Sequence, residues 1–179
     1  MYFTTHYLSP LGGITLASDG EYLTGLWFDG QKYFAQSLPE AHEERPLPVF
    51  RQTAAWLDDY FSGRMPDAMP PIRLSGSPFQ LMVWNLLRQI PYGTTRTYKE
   101  LAAAIARQKG ILHMSAQAIG GAVGHNPVSI LIPCHRVVGS HGSLTGYAGG
   151  LDKKIALLKL EKADVAGLFI PASPTLIKK

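Results

Sequence analysis

The first 30 residues are patterned as strands. "GITLASDGEYLTGLWF" (residues 13–28) holds two apolar-rich runs around Asp19-Gly20, a strong hairpin-turn signal. The next stretch, "QKYFAQSLPEAHEERPLP", is polar and proline-bearing and predicts a loop or a short helix. In "PVFRQTAAWLDDYFSG" the residues Phe50, Thr53, Ala54, Leu57 and Tyr60/Phe61 fall on one helical face, and Gly63 suits a C-cap. This third of the chain reads as a small sheet with one packed helix.

"RMPDAMPPIRLSGSP" (residues 64–78) is rich in Pro, Gly and Ser and separates a domain over 1–76 from a second over 77–179, with "PIRLS" a candidate last strand. The second half opens helical. Ser77-Pro78 supplies an N-cap and a first helical residue, and Phe79, Met82, Val83, Leu86, Leu87 and Ile90 form the apolar stripe. Pro91-Tyr92-Gly93 ends that helix, and Thr97-Tyr98-Lys99-Glu100 is a capping box opening "YKELAAAIA". "RQKGILH" reads as looser chain before "MSAQAIGGAVG", for which Ser115 is the N-cap. Two short helices joined by a turn resemble a helix-turn-helix. The Ala/Gly content of the second suits either close helix packing or close approach to DNA. "NPVSILIPCHRVVG" reads as a turn, a buried extended run and a break at Pro133, and "SHGSLTGYAGG" as a glycine-rich loop. Leu151, Ile155 and Leu158, with Lys159–Lys162, belong to a closing amphipathic helix, and the tail "SPTLIKK" is expected to fray.

Charge sharpens this division. Residues 1–78 carry 5 Lys/Arg against 9 Asp/Glu, net −4, and residues 79–179 carry 12 against 4, net +8. A basic C-terminal half fits a polyanionic partner, or a solvated surface. The bulk composition is that of a globular chain, 46% apolar and 17% charged. No apolar run approaches the roughly 18 residues that span a bilayer, and "MYFTTHYLSP" has no secretory pattern. One cysteine rules out an internal disulfide and a multi-cysteine zinc site, and His113, His125, His135 and His141 lack cluster spacing. A cytoplasmic address and no metal are expected.

That single thiol, Cys134, lies between an apolar run and His135-Arg136. Packing explains many free cysteines. A nucleophile needs more, because a thiol with a pKa of about 8.5 is only about 3% ionised at pH 7. An irregular turn after Pro133 would bring Cys134 and His135 to one site, and a carboxylate should orient the imidazole; the basic half offers Glu100, Asp152, Glu161 and Asp164, with Glu161 on the last helix able to point inward.

The residues now assembled resemble the O6-alkylguanine-DNA alkyltransferases. "IPCHRVVG" (residues 132–139) carries the resemblance; "GGAVGHNPVSILIPCHRV", "IPYGTTRTYKELA" and "GYAGGLDKK…LLKLE" extend it over about 79–162, and it weakens N-terminally. It implies an α/β chain, with a small ribonuclease H-like sheet-plus-helix domain followed by a mostly helical winged-helix/helix-turn-helix domain. It also implies direct-reversal DNA repair. In that reaction the alkyl group of O6-alkylguanine, or of O4-alkylthymine, passes irreversibly to Cys134 in a single SN2 turnover. The expected partner is double-stranded DNA; no cofactor, no membrane and no second subunit are expected.

By the same resemblance, Cys134 is the acceptor, His135 its base through a bound water, and Glu161 the orienting carboxylate. Asn126 is a hinge, Tyr98 a hydrogen-bond donor near the base, and Tyr147 a pocket wall. Backbone around Cys134 and Val137 reads the guanine, with Arg136, Ala148 and Gly149 among the substrate contacts. Gln117 stands where the family often has an arginine that fills the stack vacated by the flipped base, and Ala148 where some members have serine. A fall in the thiol pKa by about two units would correspond to roughly 2.7 kcal/mol of thiolate stabilisation, with His135 and a helix N-terminus as the expected sources. A non-catalytic DNA-binding relative, a winged-helix regulator and a cysteine hydrolase are the competing readings.

Overall fold

The computed structural model describes residues 1–171 of the chain; the expected fraying of Ser173–Lys179 lies outside the described residues. Strands β1 (Tyr2–Ser9), β2 (Gly12–Ser18) and β3 (Leu23–Phe28) form an antiparallel meander. The turn at Asp19-Gly20 is held by the Asp19 carboxylate, which accepts the N–H groups of Glu21 and Tyr22, and Gly20 takes φ +108°. A fourth strand, β4 (His42–Glu44), lies parallel on β1, giving the order β3-β2-β1-β4. Its three residues are all exposed, so no apolar periodicity marks it within a stretch that reads as loop.

Helix α1 (Pro48–Phe61) covers the sheet and buries Val49, Phe50, Thr53, Trp56, Leu57 and Tyr60. Trp56 and Val49 take a larger share of that face than the sequence stripe allots them, while Ala54 and Phe61 are half-buried. The linker bridges to β3 at one position. Ile72 bridges Leu23 through Leu23 N–H to the Pro71 carbonyl (2.8 Å) and Arg73 N–H to the Leu23 carbonyl (3.0 Å). No strand forms at 71–75, because Pro70 and Pro71 lack the donors a ladder needs.

The second half packs three helices. Helix α2 (Pro78–Leu87) starts on a Ser77–Gln80 capping box, and α3 (Tyr98–Lys109) on the Thr97–Glu100 box. Helix α4 (Ala116–Gly124) starts on Ser115, whose hydroxyl accepts from Gln117 and Ala118. Helix α3 runs three residues into "RQKGILH", through Arg107–Lys109, before Gly110 ends it at φ +65°. Helices α3 and α4 form the helix-turn-helix, and α2 packs on both. Trp84, absent from the sequence stripe, is the buried anchor of α2: its indole N–H donates to the Ala122 carbonyl on α4 (2.9 Å). Phe79, Met82 and Leu86 are only half-buried. A two-residue parallel ribbon, β5 (Arg96–Thr97) with β6 (Val137–Val138), ties the start of α3 to the segment after Cys134. Helix α5 (Leu151–Leu160) closes the described fold. The buried apolar cluster is continuous, from Ile14, Leu26 and Phe28 of the sheet through Tyr60 and Trp84 to Ile119, Ile132 and Leu157.

Candidate active site

The segment carrying the thiol is fully buried but not extended, contrary to the sequence reading. Asn126 folds it. Its carbonyl oxygen accepts the Val128 N–H (3.0 Å), and its amide donates to the Ile132 carbonyl (2.8 Å). Such local side-chain bonding competes with strand pairing. Ile130 is driven to φ +70°, a costly conformation for a β-branched residue. The edge of β3 fixes the segment from the other domain: Leu26 N–H donates to the Pro127 carbonyl (2.8 Å) and Ser129 N–H to the Leu26 carbonyl (3.0 Å). The chain then turns in a 3₁₀ helix over Cys134–Arg136, which places consecutive side chains about a third of a turn apart rather than on opposite faces.

Glu161 caps the C-terminus of α5 and is buried. Its Oε1 accepts from the Tyr60 hydroxyl (2.8 Å), His135 Nε2 (2.7 Å) and Arg136 Nη2 (2.8 Å), and its Oε2 accepts from Arg136 Nε (2.9 Å) and Gly93 N–H (3.2 Å). Burial opposes the charge, but His135 and Arg136 outweigh it and hold the carboxyl far below the usual range. An ionised carboxylate only accepts, so His135 carries its proton on Nε2. Burial also pushes the imidazole pKa down, against the pull of Glu161. The ring is therefore neutral, with Nδ1 as its basic atom, and Nδ1 is buried without a protein partner.

Cys134 lines a cavity of about 830 Å³, bounded by Tyr98 and Lys99 of α3, Ala116, Gln117, Gly120, Gly121 and Gly124 of α4, and residues 145–148 of the glycine-rich loop. Lys32 and Tyr33 of the N-terminal domain complete the wall, with Lys32 N–H on the Ala148 carbonyl (3.0 Å) and Tyr33 stacked on His125 (centroids 3.9 Å). The thiol is 5% exposed. Burial pushes its pKa up, and the Asn126 amide, the Lys154 charge and local N–H groups pull it part of the way back. This reverses the direction expected from sequence. A neutral His135 contributes no cation, so the resting thiol is protonated and ionises only with assistance.

The outer face of α4 is open. A Cβ on Gly121 or Gly124 would meet nothing within 4 Å, and one on Gly120 would only graze Tyr98 at 3.9 Å. Packing within the chain does not require these glycines. Gln117 is exposed on that face. Gly149 is different: a Cβ there would stand 3.0 Å from the Phe28 and Tyr147 rings.

Cys134, Tyr98, Gln117, Tyr147 and Ala148 share the cavity, with Asn126, His135 and Glu161 behind it. Three expected substrate contacts are not among the residues that line the cavity. Gly149 lies beside the Phe28 and Tyr147 rings. Arg136 is spent on Glu161 and the Ile90 carbonyl (2.7 Å), and Val137 is buried in β6 with its N–H on the Cys134 carbonyl. Sequence reasoning missed Tyr60, Lys32, Tyr33 and Lys154. Lys154 left a signal, a lysine at the spacing of the apolar stripe Leu151, Leu157 and Leu158; Lys32 and Tyr33 sit in a polar loop and left none.

Two family models cover most of the chain: "6-O-methylguanine DNA methyltransferase, ribonuclease-like domain" matches residues 1–74, and the DNA binding domain of the same description matches residues 78–163. A methylated-DNA–protein-cysteine methyltransferase of Haemophilus influenzae is 41% identical over 161 residues, 89% of this chain and 86% of the relative. The crystal structure of Mycobacterium tuberculosis O6-methylguanine methyltransferase is 39% identical with a TM-score of 0.77, covering 99% of this chain and all of that one. The Mycobacterium tuberculosis OGT crystallised in complex with DNA is 40% identical with a TM-score of 0.75, covering 94% and 98%.

Proposed function

Because the chain belongs to the 6-O-methylguanine DNA methyltransferase family, we propose that it repairs O6-alkylguanine in duplex DNA by moving the alkyl group to Cys134. The observation that carries this reading is the placement of the chain's single thiol on the wall of an open cavity, backed by the buried His135–Glu161 pair.

Helix α4 enters the minor groove, where its exposed glycines admit the DNA backbone closely. Lys32 and Lys99 at the cavity rim meet phosphates, which makes binding salt-sensitive and tolerant of sequence. The damaged nucleotide turns out of the stack into the cavity. The Cys134 proton leaves through a bridging water to His135 Nδ1, the bare acceptor of a ring that Glu161 holds by Nε2. Sulfur attacks the alkyl carbon in line as the carbon–oxygen bond breaks. The electron pair passes to guanine, with the Tyr98 hydroxyl as hydrogen-bond donor, and guanine takes up one proton as His135 gives up the one it received from the thiol. Burial pushes the Tyr98 pKa up to about 12, so it still carries its proton at neutral pH. The thioether has no second cysteine to resolve it, so each molecule acts once; the same reading makes the protein a cytoplasmic monomer that needs no cofactor. Methyl is the simplest cargo; a cavity of this volume admits larger alkyl groups and O4-alkylthymine.

Incubation with excess duplex carrying radiolabelled O6-methylguanine tests this. Label should pass to protein, plateau at one methyl per chain, and map to Cys134. Repeated turnover would favour a hydrolase, and binding without transfer a regulator. For Gln117→Arg, we expect tighter duplex binding and a log–log salt slope steeper by about 1, one added phosphate contact. An unchanged affinity and slope would remove Gln117 from the DNA interface.

A further inference from the structure

Among the described residues, one buried cation has no task in this mechanism. Lys154 stands in the first turn of α5 at 0% exposure. Its Nζ donates to the Gly146 carbonyl (2.9 Å) and lies 5.9 Å from the centre of the Tyr98 ring. No carboxylate among the described residues lies within 4.0 Å of it. Apart from those two contacts the location is costly for a cation. It is out of water without an anion, and it sits at the end of a helix whose dipole repels positive charge. A leucine or methionine would fill the same stripe without those costs.

What surrounds Lys154 gives it a role. Cys134, Tyr98 and Gly146 line the cavity, and Lys154 reaches them from behind, where α5 packs on the Cys134–Arg136 turn. The groups that face it are Cys134 on that turn, Tyr98 on α3 and the Gly146 carbonyl on the loop, with the His135–Arg136–Glu161 cluster beyond. Glu161 already has five donors, and burial keeps the Tyr98 and Tyr147 hydroxyls neutral. Cys134 is left as the group that gains negative charge beside it.

We propose that Lys154 is the counter-cation of the Cys134 thiolate, a positioning residue whose ammonium, held by the Gly146 carbonyl and the face of Tyr98, stabilises the charge on sulfur in the cavity wall. The inference rests on Cys134 being the acceptor. Lys154 moves no proton. The thiol proton goes to His135, the sulfur–carbon bond forms as the carbon–oxygen bond breaks, and Lys154 bears the same charge before and after. A nearby opposite charge lowers a thiol pKa most where water is excluded. Burial brings Lys154 itself down to about 8. The alkylation rate of Cys134 should therefore climb with pH through neutrality, then flatten or fall as Lys154 loses its proton above about 8.

The single thiol makes the test direct, since iodoacetamide reports on Cys134 alone. In Lys154→Met the pH profile of alkylation should shift upward, with reaction at pH 7 slowed about tenfold. Methyl transfer from O6-methylguanine duplex should slow by a similar factor, while affinity for undamaged duplex changes less than about twofold. Lys154→Arg, which keeps the charge, should restore the profile. A folded Lys154→Met protein with an unshifted profile overturns the proposal. If Lys154→Met does not fold, the reciprocal measurement decides. The Lys154 ammonium, titrated by NMR, should lose its proton at lower pH in Cys134→Ser than in the wild type, and identical titrations overturn the proposal. A wild-type protein with the expected iodoacetamide profile but no transfer from damaged duplex would sink the repair reading and leave the lysine–thiolate pair standing.

Discussion

Replacing Cys134 with alanine is expected to abolish alkyl transfer while leaving the fold and duplex binding in place. Cys134→Ala removes one sulfur from a wall that already opens on a cavity, so the stability cost should be about 1 kcal/mol, at the small end of core truncations. No other group in the cavity can take over. Tyr98 keeps its proton to about pH 12, Tyr147 is raised further by burial, and the hydroxyls of Ser140 and Thr145 have no paired base. Labelled duplex should therefore be bound, shifted in a gel and recovered with its methyl group intact. Label on the Cys134→Ala protein would move the acceptor elsewhere in the chain and undo the reading.

Glu161→Gln should be the most destabilising single change at the site. It deprives Arg136 and His135 of their shared carboxylate inside the protein. Breaking a buried ion pair from one side costs about 3 to 5 kcal/mol, and an amide donor now faces donors from Tyr60, Arg136 and Gly93. Chemical denaturation at neutral pH measures the loss. The pH dependence carries a second signature. The Glu161 carboxyl sits below its unfolded value of 4.5 in the native state, so its stabilisation is complete above that pH and drains away as pH falls toward the folded value. His135 is likewise lower in the folded state than its ordinary 6.5, so acid favours the unfolded chain from there downward. Wild-type stability should decline below about 6.5 and more steeply below about 4.5, and Glu161→Gln should lose that lower limb. Transfer should slow as well, because His135 loses the acceptor that fixes its tautomer. A variant as stable as the wild type, with an unchanged acid limb, would place Glu161 outside the load it is assigned here.

Legibility from sequence followed the range of the interactions. The caps at Ser77 and Ser115, the Thr97 capping box and the Asp19-Gly20 turn span four residues or fewer, so local composition reveals them. The three-residue β4 and the short bridge at Ile72 depend on a neighbouring strand and carry no pattern of their own. The apparent strand at "VSILI" misled for a related reason. Its apolar run does report burial, but the bonds from Asn126 to Val128 and Ile132 decide its path.

The same division holds at the site. Sequence by itself determined the chemistry on offer: one thiol, a histidine beside it, a basic half, a helix stripped to alanine and glycine, and a motif resembling one repair family. These are properties of residue type and spacing, which survive without coordinates. Tertiary structure alone decided which charges meet. It assigned Arg136 to Glu161 rather than to substrate, brought Lys32 and Tyr33 across from the other domain, set Lys154 behind the sulfur, and turned the expected downward push on the thiol pKa into an upward one. Burial and polar pairing act through space over a few ångströms, between residues separated in the chain by more than a hundred positions.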